Sequence, residues 1–183
     1  MRWRVCEAAI SHLNEFGFHR TSIVKVAERA GVSQGALQHH FPTKNDLIAA
    51  IVEFLTGRSV KWFSRACIEL AKSPDAFGAV VRRSWREQFR SDYFAALLEI
   101  LIASRTDDEL RERIAPGLAR WRAAIDCEQS RLIPAMHRTA QELDAAHSMT
   151  RAILTGLLIH DGPLGDEAHM DFVIDRWIAL ASR

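Results

Sequence analysis

Apolar residues recur at helical spacing along nearly the whole of this 183-residue chain. No stretch alternates apolar and polar residues for long enough to make a convincing strand, and glycine and proline together number only fourteen. Hydrophobic residues make up 48% of the chain, which is ordinary for a protein that buries a core. The pattern therefore predicts an all-α fold.

Capping residues and helix breakers predict where the first helices begin and end. The first helix is expected to stop at Gly17 and to bury an apolar face of Val5, Ala8, Ala9, Leu13 and Phe16. Two short helices follow, one capped by Thr21-Ser22 and the other running from Ser33 through Phe41.

Longer helices are predicted for the rest of the chain, over residues 44–72, 75–90, 92–104, 107–135, 140–160 and 167–182. Thr43 and Asp46 stand close to a capping box at the start of 44–72. Pro116 is expected to end or kink the 107–135 helix, and Pro134 to close it.

Residues 21–41, TSIVKVAERAGVSQGALQHHF, hold what two helices joined at a tight corner require. Small Ala27 falls where the helices approach most closely, and Gly31 falls four residues later, where the turn needs a left-handed backbone. Apolar side chains at the right offsets pin the second helix onto the first: Val26, Ala30, Val32 and Leu37. The segment predicts a helix-turn-helix within an N-terminal three-helix domain, residues 1–45.

With Leu37 facing the core, five residues along the N-terminal half of the second short helix are left to project outward: Gln34, Gly35, Ala36, Gln38 and His39. In a helix-turn-helix this half enters the major groove of double-stranded DNA. Glutamine amides can pair with base edges there, and alanine can touch a thymine methyl group. We therefore predict base contacts from these residues; the alternative is a tight helical corner without DNA function.

Helix N-termini in the same region offer N–H and hydroxyl groups that can donate hydrogen bonds to phosphate oxygens. Thr21, Ser22, Ser33 and Thr43 occupy such starts, and Lys44 adds a charge. Residues 1–65 hold nine Lys and Arg against five Asp and Glu, whereas the remaining residues hold fifteen against eighteen. A basic N-terminal part favours a polyanionic partner.

The N-terminal segment resembles the DNA-binding domain of the TetR (tetracycline-repressor-like) family of transcriptional regulators. The TS, VA, AGVS, GAL and HHFPTKNDL elements carry the resemblance, in register without gaps over roughly residues 5–55. It implies phosphate contacts from Ser22, His40 and Lys44, and groove contacts from Gln34, Gly35, Ala36 and His39. Gln38 departs from the pattern, because the family usually has tyrosine there.

The resemblance also implies a larger C-terminal helical domain, residues 46–183, that binds a small-molecule effector and dimerises. The expected function is a sequence-specific repressor that binds a palindromic operator as a homodimer and leaves it when the effector binds. The alternatives are a degenerate relative that acts through protein contacts and a small helical enzyme.

The last two predicted helices are more apolar than one core usually needs, which favours pairing across a two-fold axis over an ordinary monomer core. The predicted interface comprises Ile153, Gly156, Leu157, Phe172, Ile174, Trp177 and Ile178. Aromatic residues cluster in the middle of the chain, and either a ligand cavity or plain core explains them. The candidate pocket comprises Phe63, Trp85, Phe89, Phe94, Leu98, Trp121 and Ile125, with Arg82 and Arg83 able to meet an anion.

Nothing in the sequence points to catalysis, a metal or a cofactor. The HExxH and GxSxG patterns and a glycine-rich phosphate loop are absent, and a loop bracketed by His160, Asp161 and His169 more often reflects solvation than metal binding. The three cysteines are scattered, without a CxxC pair. No apolar run reaches membrane-span length and the N-terminal segment is not typical of a signal peptide, so we expect a cytoplasmic protein.

Overall fold

The structure, a computed structural model, describes residues 2–181. Over this range the chain forms helices and no strand, so the all-α prediction is confirmed. The helices are α1 (Arg2–Arg20), α2 (Ile23–Ala30), α3 (Gln34–His40), α4 (Lys44–Lys72), α5 (Phe77–Ser84), α6 (Asp92–Ala103), α7 (Asp108–Ser130), α8 (Ile133–Met136), α9 (Ala140–His160) and α10 (Glu167–Ala181). Residue 182, the predicted end of the last helix, lies outside the described residues.

Two predicted helices are divided in the structure. The one expected over 75–90 consists of a 3-10 turn, Pro74–Ala76, then α5, then a π-helical segment, Trp85–Phe89. The one expected over 107–135 is divided into α7 and α8, and Pro134 lies inside α8 instead of closing α7.

Pro116 does not end α7, although it removes one amide donor from the helix interior. Its neighbour Gly117 packs closely on α4, because a Cβ at this position would lie 3.5 Å from Cγ of Glu53. Ile114, one turn earlier, is fully buried. Packing on both sides of the proline therefore holds the helix together.

Packing divides the chain into two compact units. Unit 1 comprises the residues through Ser59 together with Asp92–Arg122. Its core takes large apolar side chains from α1, α3, α4, α6 and α7, including Leu13, Leu37, Ile51, Ile100 and Ile114. Packing joins the first half of α4 to the three N-terminal helices. The division into a DNA-binding domain and a ligand-binding domain between residues 45 and 46 therefore stays a prediction about function.

A break in α1 decides which of its aromatic residues is buried. Gly17 has φ 76° and ψ 172°, a left-handed φ that glycine adopts at little cost, and the helix resumes after it as far as Arg20. The break turns Phe18 into the core and leaves Phe16 exposed. The prediction that Phe16 faces the core is therefore wrong, whereas Val5, Ala8, Ala9 and Leu13 are buried as predicted.

Unit 2 comprises Val60–Ser91 together with the residues from Ala123 onward. One buried cluster in this unit consists of Ala66, Cys67, Leu70, Val80, Leu132 and Leu143. Helices α9 and α10 are tied together by the Trp177 indole Nε1, which donates to the Thr150 hydroxyl at 2.9 Å. An ion pair between Arg82 and Asp175, 2.7 Å apart, links α5 to α10.

Candidate nucleic-acid interface

The corner between α2 and α3 is built from a serine cap and a glycine turn. Ser22 caps α2, and its Oγ accepts from the Lys25 amide at 3.3 Å. Gly31 ends α2 with φ 64° and ψ 38°, which confirms the predicted left-handed turn. The Val32 N–H then donates to the Ala27 carbonyl at 3.1 Å, so the chain turns sharply into α3.

Helix α3 is anchored by one buried side chain. Leu37 is 1% exposed and lies in the unit 1 core, and Ser33 caps the helix through a 3.2 Å hydrogen bond from the Ala36 amide. Of the residues predicted to project outward, Gln34, Gly35, Gln38 and His39 are exposed and Ala36 is half-buried. His40, which the resemblance implies as a phosphate contact, is exposed as well. The helix thus exposes amides and imidazoles around its one buried leucine.

Sequence reasoning missed the residue that ties α2 to α1. The Arg29 guanidinium donates to Ser11 Oγ at 2.7 Å and to Glu15 Oε2 at 2.5 Å. It also lies 5.6 Å from the ring centroid of the exposed Phe16. Because the partners lie on different helices, no i, i+4 spacing in the sequence could indicate the pair.

Thr21 is the predicted phosphate contact that the structure places inside. Its side chain is 2% exposed, and its hydroxyl donates to the Gly17 carbonyl at 2.9 Å. It supports the turn between α1 and α2 and is not available at the surface. The other hydroxyl candidates remain accessible, with Ser22 half-buried and Ser33 and Thr43 exposed.

Lys44, also predicted to contact phosphate, directs its ammonium inward. Its Nζ donates to the Phe18 carbonyl at 2.6 Å and lies 3.8 Å from the centroid of the Phe18 ring. Burial lowers the pKa of Lys44, an effect that the charge of Asp107 opposes. The phosphate contact stays a prediction, and in this conformation Lys44 fixes the start of α4 to the end of α1.

Helix α4 begins with the reciprocal cap that the sequence predicted. The Thr43 Oγ1 accepts from the Asp46 amide at 3.1 Å, and Asp46 Oδ2 accepts from the Thr43 hydroxyl at 2.7 Å and from the Thr43 amide at 3.0 Å. The second carboxylate oxygen, Oδ1, pairs with Arg113 of α7. Hydrogen bonds from Thr43, with the Arg113 guanidinium as a smaller cause, hold the pKa of Asp46 below its usual value.

The seven candidate pocket residues are divided between the two units. Four of them belong to unit 2, namely Phe63, Trp85, Phe89 and Ile125, and three belong to unit 1, namely Phe94, Leu98 and Trp121. An open groove of about 430 Å³ between α3, α4 and α7 of unit 1 is lined by none of the seven. The guanidinium groups suggested for an anion are engaged, Arg82 with Asp175 and Arg83 with Glu69.

The seven candidate dimer residues differ in exposure. Leu157, Ile174 and Trp177 are buried within unit 2, so they stabilise the protomer itself. Phe172 is 67% exposed, and a Cβ added to Gly156 would meet no atom within 4 Å. Ile153 and Ile178 are half-buried.

The described residues contain no group of three or more His, Cys, Asp and Glu side chains that could hold a metal ion. At the loop after α9, His169 lies 3.9 Å from Asp161 and both side chains reach solvent. Burial, with the charge of Glu128 adding to it, raises the pKa of the Cys67 thiol to about 12. Nor does any helix between residues 2 and 181 have the length and apolarity that crossing a bilayer takes.

Comparisons with known proteins agree with this geometry. Residues 5–51 match the family described as bacterial regulatory proteins, tetR family. An HTH-type transcriptional regulator of Mycobacterium tuberculosis is 30% identical over 139 residues, 76% of this chain and 70% of the relative. The HTH-type transcriptional regulator CymR of Pseudomonas putida is 33% identical over 123 residues, 67% of this chain and 60% of CymR.

Solved structures share the fold at lower identity. The transcriptional regulator FadR from Bacillus subtilis, in complex with stearoyl-CoA, superposes with a TM-score of 0.72 at 17% identity, covering 100% of this chain and 98% of FadR. The multidrug binding protein EbrR, complexed with imidazole, gives a TM-score of 0.69 at 22% identity and covers 96% and 93% of the two chains. This chain is a helix-turn-helix transcriptional regulator and belongs to the TetR family.

Proposed function

We propose that this regulator inserts α3 into the major groove of a palindromic operator. The observation that carries the proposal is the exposure of the polar side chains of α3 around a single buried leucine. Base contacts come from Gln34, Gly35, Ala36, Gln38 and His39. Phosphate contacts come from Ser22, Ser33, His40 and Thr43, with Lys44 contributing its charge.

Selection of bound duplexes from a random library, followed by sequencing, tests this proposal. We expect an inverted repeat whose half-sites lie about 10 base pairs apart or a multiple of that, because two recognition helices must enter grooves on one face of the DNA. Enrichment of no sequence at all would contradict the proposal and favour a member that acts through protein contacts.

A homodimer is the second part of the proposal, supported by an apolar face on the last two long helices. Helix α9 exposes Met149 and Ile159, and α10 exposes Phe172 and Leu180. Large apolar side chains grouped in this way usually mark a protein interface. The face also includes the open space beside Gly156, which a second copy can fill.

A small-molecule effector is the third part, and the family and its solved relatives support it. FadR is in complex with stearoyl-CoA and EbrR with imidazole. In this chain the effector binds the C-terminal part, and the candidate contacts are the predicted pocket residues that lie in unit 2, namely Phe63, Trp85, Phe89 and Ile125. We infer that the protein is a cytoplasmic repressor and that the effector releases it from DNA. We further infer that it has no enzymatic activity.

Helix α4 is the proposed route of release, because its residues belong to both units. A change of a few ångströms in the spacing of the two recognition helices prevents both from docking at once. Coupling must be reciprocal, so operator DNA should weaken effector binding by the factor by which effector weakens DNA binding. Effector titration with and without operator measures this factor, and equal affinities would exclude the mechanism for that compound.

A further inference from the structure

The start of α4 carries a negative charge where a DNA phosphate is proposed to bind. The Asp46 carboxylate completes the cap with Thr43, and Thr43 is one of the proposed phosphate contacts. A carboxylate suits a helix N-terminus but repels phosphate. The interface therefore needs a cation at this point.

The cation does not come from Lys44 in the conformation described. Its ammonium donates to the Phe18 carbonyl and lies against the Phe18 ring, on the inner side of α4. Moving it to a phosphate would break both contacts. Lys44 therefore does little to neutralise the negative charge of Asp46 at the outer surface.

Arg113 on α7 stands where this compensation is needed. It pairs with Asp46 Oδ1, while the Thr43 hydroxyl donates to Oδ2, so the guanidinium and Thr43 share one carboxylate. The Arg113 side chain is 58% exposed, whereas that of Asp46 is 15% exposed. A guanidinium has five N–H donors, so one that pairs with a carboxylate at an exposed site keeps donors for a phosphate oxygen.

We propose that Arg113 extends the DNA interface beyond the helix-turn-helix, neutralising Asp46 and donating to a phosphate oxygen beside Thr43. The proposal rests on the proposed DNA interface at α3 and the start of α4. It assigns a DNA contact to α7, far from residues 21–44 in the sequence. It also gives the exposed Arg113 side chain a role, since an ion pair with an exposed partner contributes little to stability.

Arg120 provides a matched control on the same helix. It pairs with Glu53 of α4 in the same way, seven residues further along both helices. Two helical turns place this second pair about 10 Å further from the start of α4. Arg113→Gln and Arg120→Gln therefore remove the same kind of pair, at the proposed interface and away from it.

The experiment measures affinity of the full-length variants for a random-sequence 30-base-pair duplex over a series of KCl concentrations. We expect Arg113→Gln to bind about tenfold more weakly at low salt, because charged hydrogen bonds to phosphate are strong. The slope of log K against log salt should be less steep by about 0.9, the value for one phosphate contact. Arg120→Gln should keep the wild-type slope, and Arg113→Lys should largely restore it.

The Asp46→Asn background separates direct contact from indirect positioning. If Arg113 acts on phosphate, Arg113→Gln still reduces the salt slope when Asp46 is already uncharged. A loss of that effect in the Asp46→Asn background would show that Arg113 only holds Asp46 in place, and equal effects of the two arginine variants would also overturn the proposal. Selection of duplexes from a random library by the wild-type protein is the separate control, because enrichment of no sequence there indicates failure of the whole interface instead.

Discussion

Large apolar side chains reach solvent on α9 and α10 but not on α3. Helix α3 exposes glutamine and histidine around one buried leucine, whereas α9 and α10 expose methionine, isoleucine, phenylalanine and leucine. The polar face suits a partner recognised through hydrogen bonds, such as the edges of bases. The apolar face suits a partner that removes surface from water, such as a second protomer.

The difference predicts how each face should respond to substitution. An apolar interface fails when a charge is buried in it, whereas a polar interface loses discrimination one contact at a time. Helix α3, which presents the polar face, must also be held in place by its one buried side chain, Leu37.

Gly156→Arg should give the largest effect. The space beside Gly156 is open, so an arginine fits within the protomer, but at a protomer interface it would bury an unpaired charge. That costs several kcal/mol and should convert the dimer to a monomer. Analytical ultracentrifugation measures the change. Gly156→Ala is the control and should keep the dimer, since alanine favours helix over glycine by up to about 1 kcal/mol. If the Gly156→Arg variant remained a dimer, the interface would lie elsewhere.

Leu37→Ala should lower the free energy of unfolding by about 2–5 kcal/mol, because the removed side chain is fully buried in the unit 1 core. DNA binding should fall with it, since this residue anchors α3. Urea unfolding followed by circular dichroism measures the stability. Gln38→Ala, an exposed neighbour on α3, should change stability by less than about 0.5 kcal/mol. Similar stabilities of the two variants would argue against the single anchor.

Gln34→Ala should leave folding unchanged and relax preference at one base pair of each half-site, by about 1–3 kcal/mol. The exposed position of Gln34 on α3 is the reason that stability is spared. Binding to a panel of single-base operator variants provides the measurement. Gln141→Ala, at an exposed glutamine of α9, is the control for a surface change away from DNA. A wild-type preference profile for Gln34→Ala would exclude Gln34 as a base contact.

The smallest expected effect concerns acid. Because Thr43 holds the pKa of Asp46 below its usual value, the folded state favours the carboxylate. This contribution is complete above the unfolded pKa of about 3.9 and disappears as pH falls through the lower folded pKa. Asp46→Asn should therefore flatten the loss of stability below about pH 4, by no more than about 1 kcal/mol. Urea unfolding at several pH values tests this, and parallel profiles for the two proteins would contradict it.

Capping residues and apolar spacing predicted most of what positions the candidate interface. Ser22, Gly31 and Ser33 define the corner through local hydrogen bonds and a local φ, which depend on neighbours in sequence. The burial of Leu37 follows from helical periodicity. These features could be predicted because each depends on a few consecutive residues.

Residues whose role depends on distant partners were placed less well. Lys44 has a long side chain that can reach outward or inward, and only the position of Phe18 shows which. Periodicity also failed at Phe16, because Gly17 breaks α1 and resets which side chains face the core. Arg113 was missed for the same reason as Arg29, since its partner lies on another helix.

The break at Gly17 has a consequence for hydrogen exchange. The Phe18 amide donates to Glu99 Oε1, 81 residues further along the chain, with 2.7 Å between nitrogen and oxygen. Replacement of the amide hydrogen by deuterium therefore requires the Glu99 carboxylate to leave the amide. One backbone amide close to the helix-turn-helix thus reports on a contact with α6, a helix outside it, and its protection factor measures the fraction of molecules in which that contact is open.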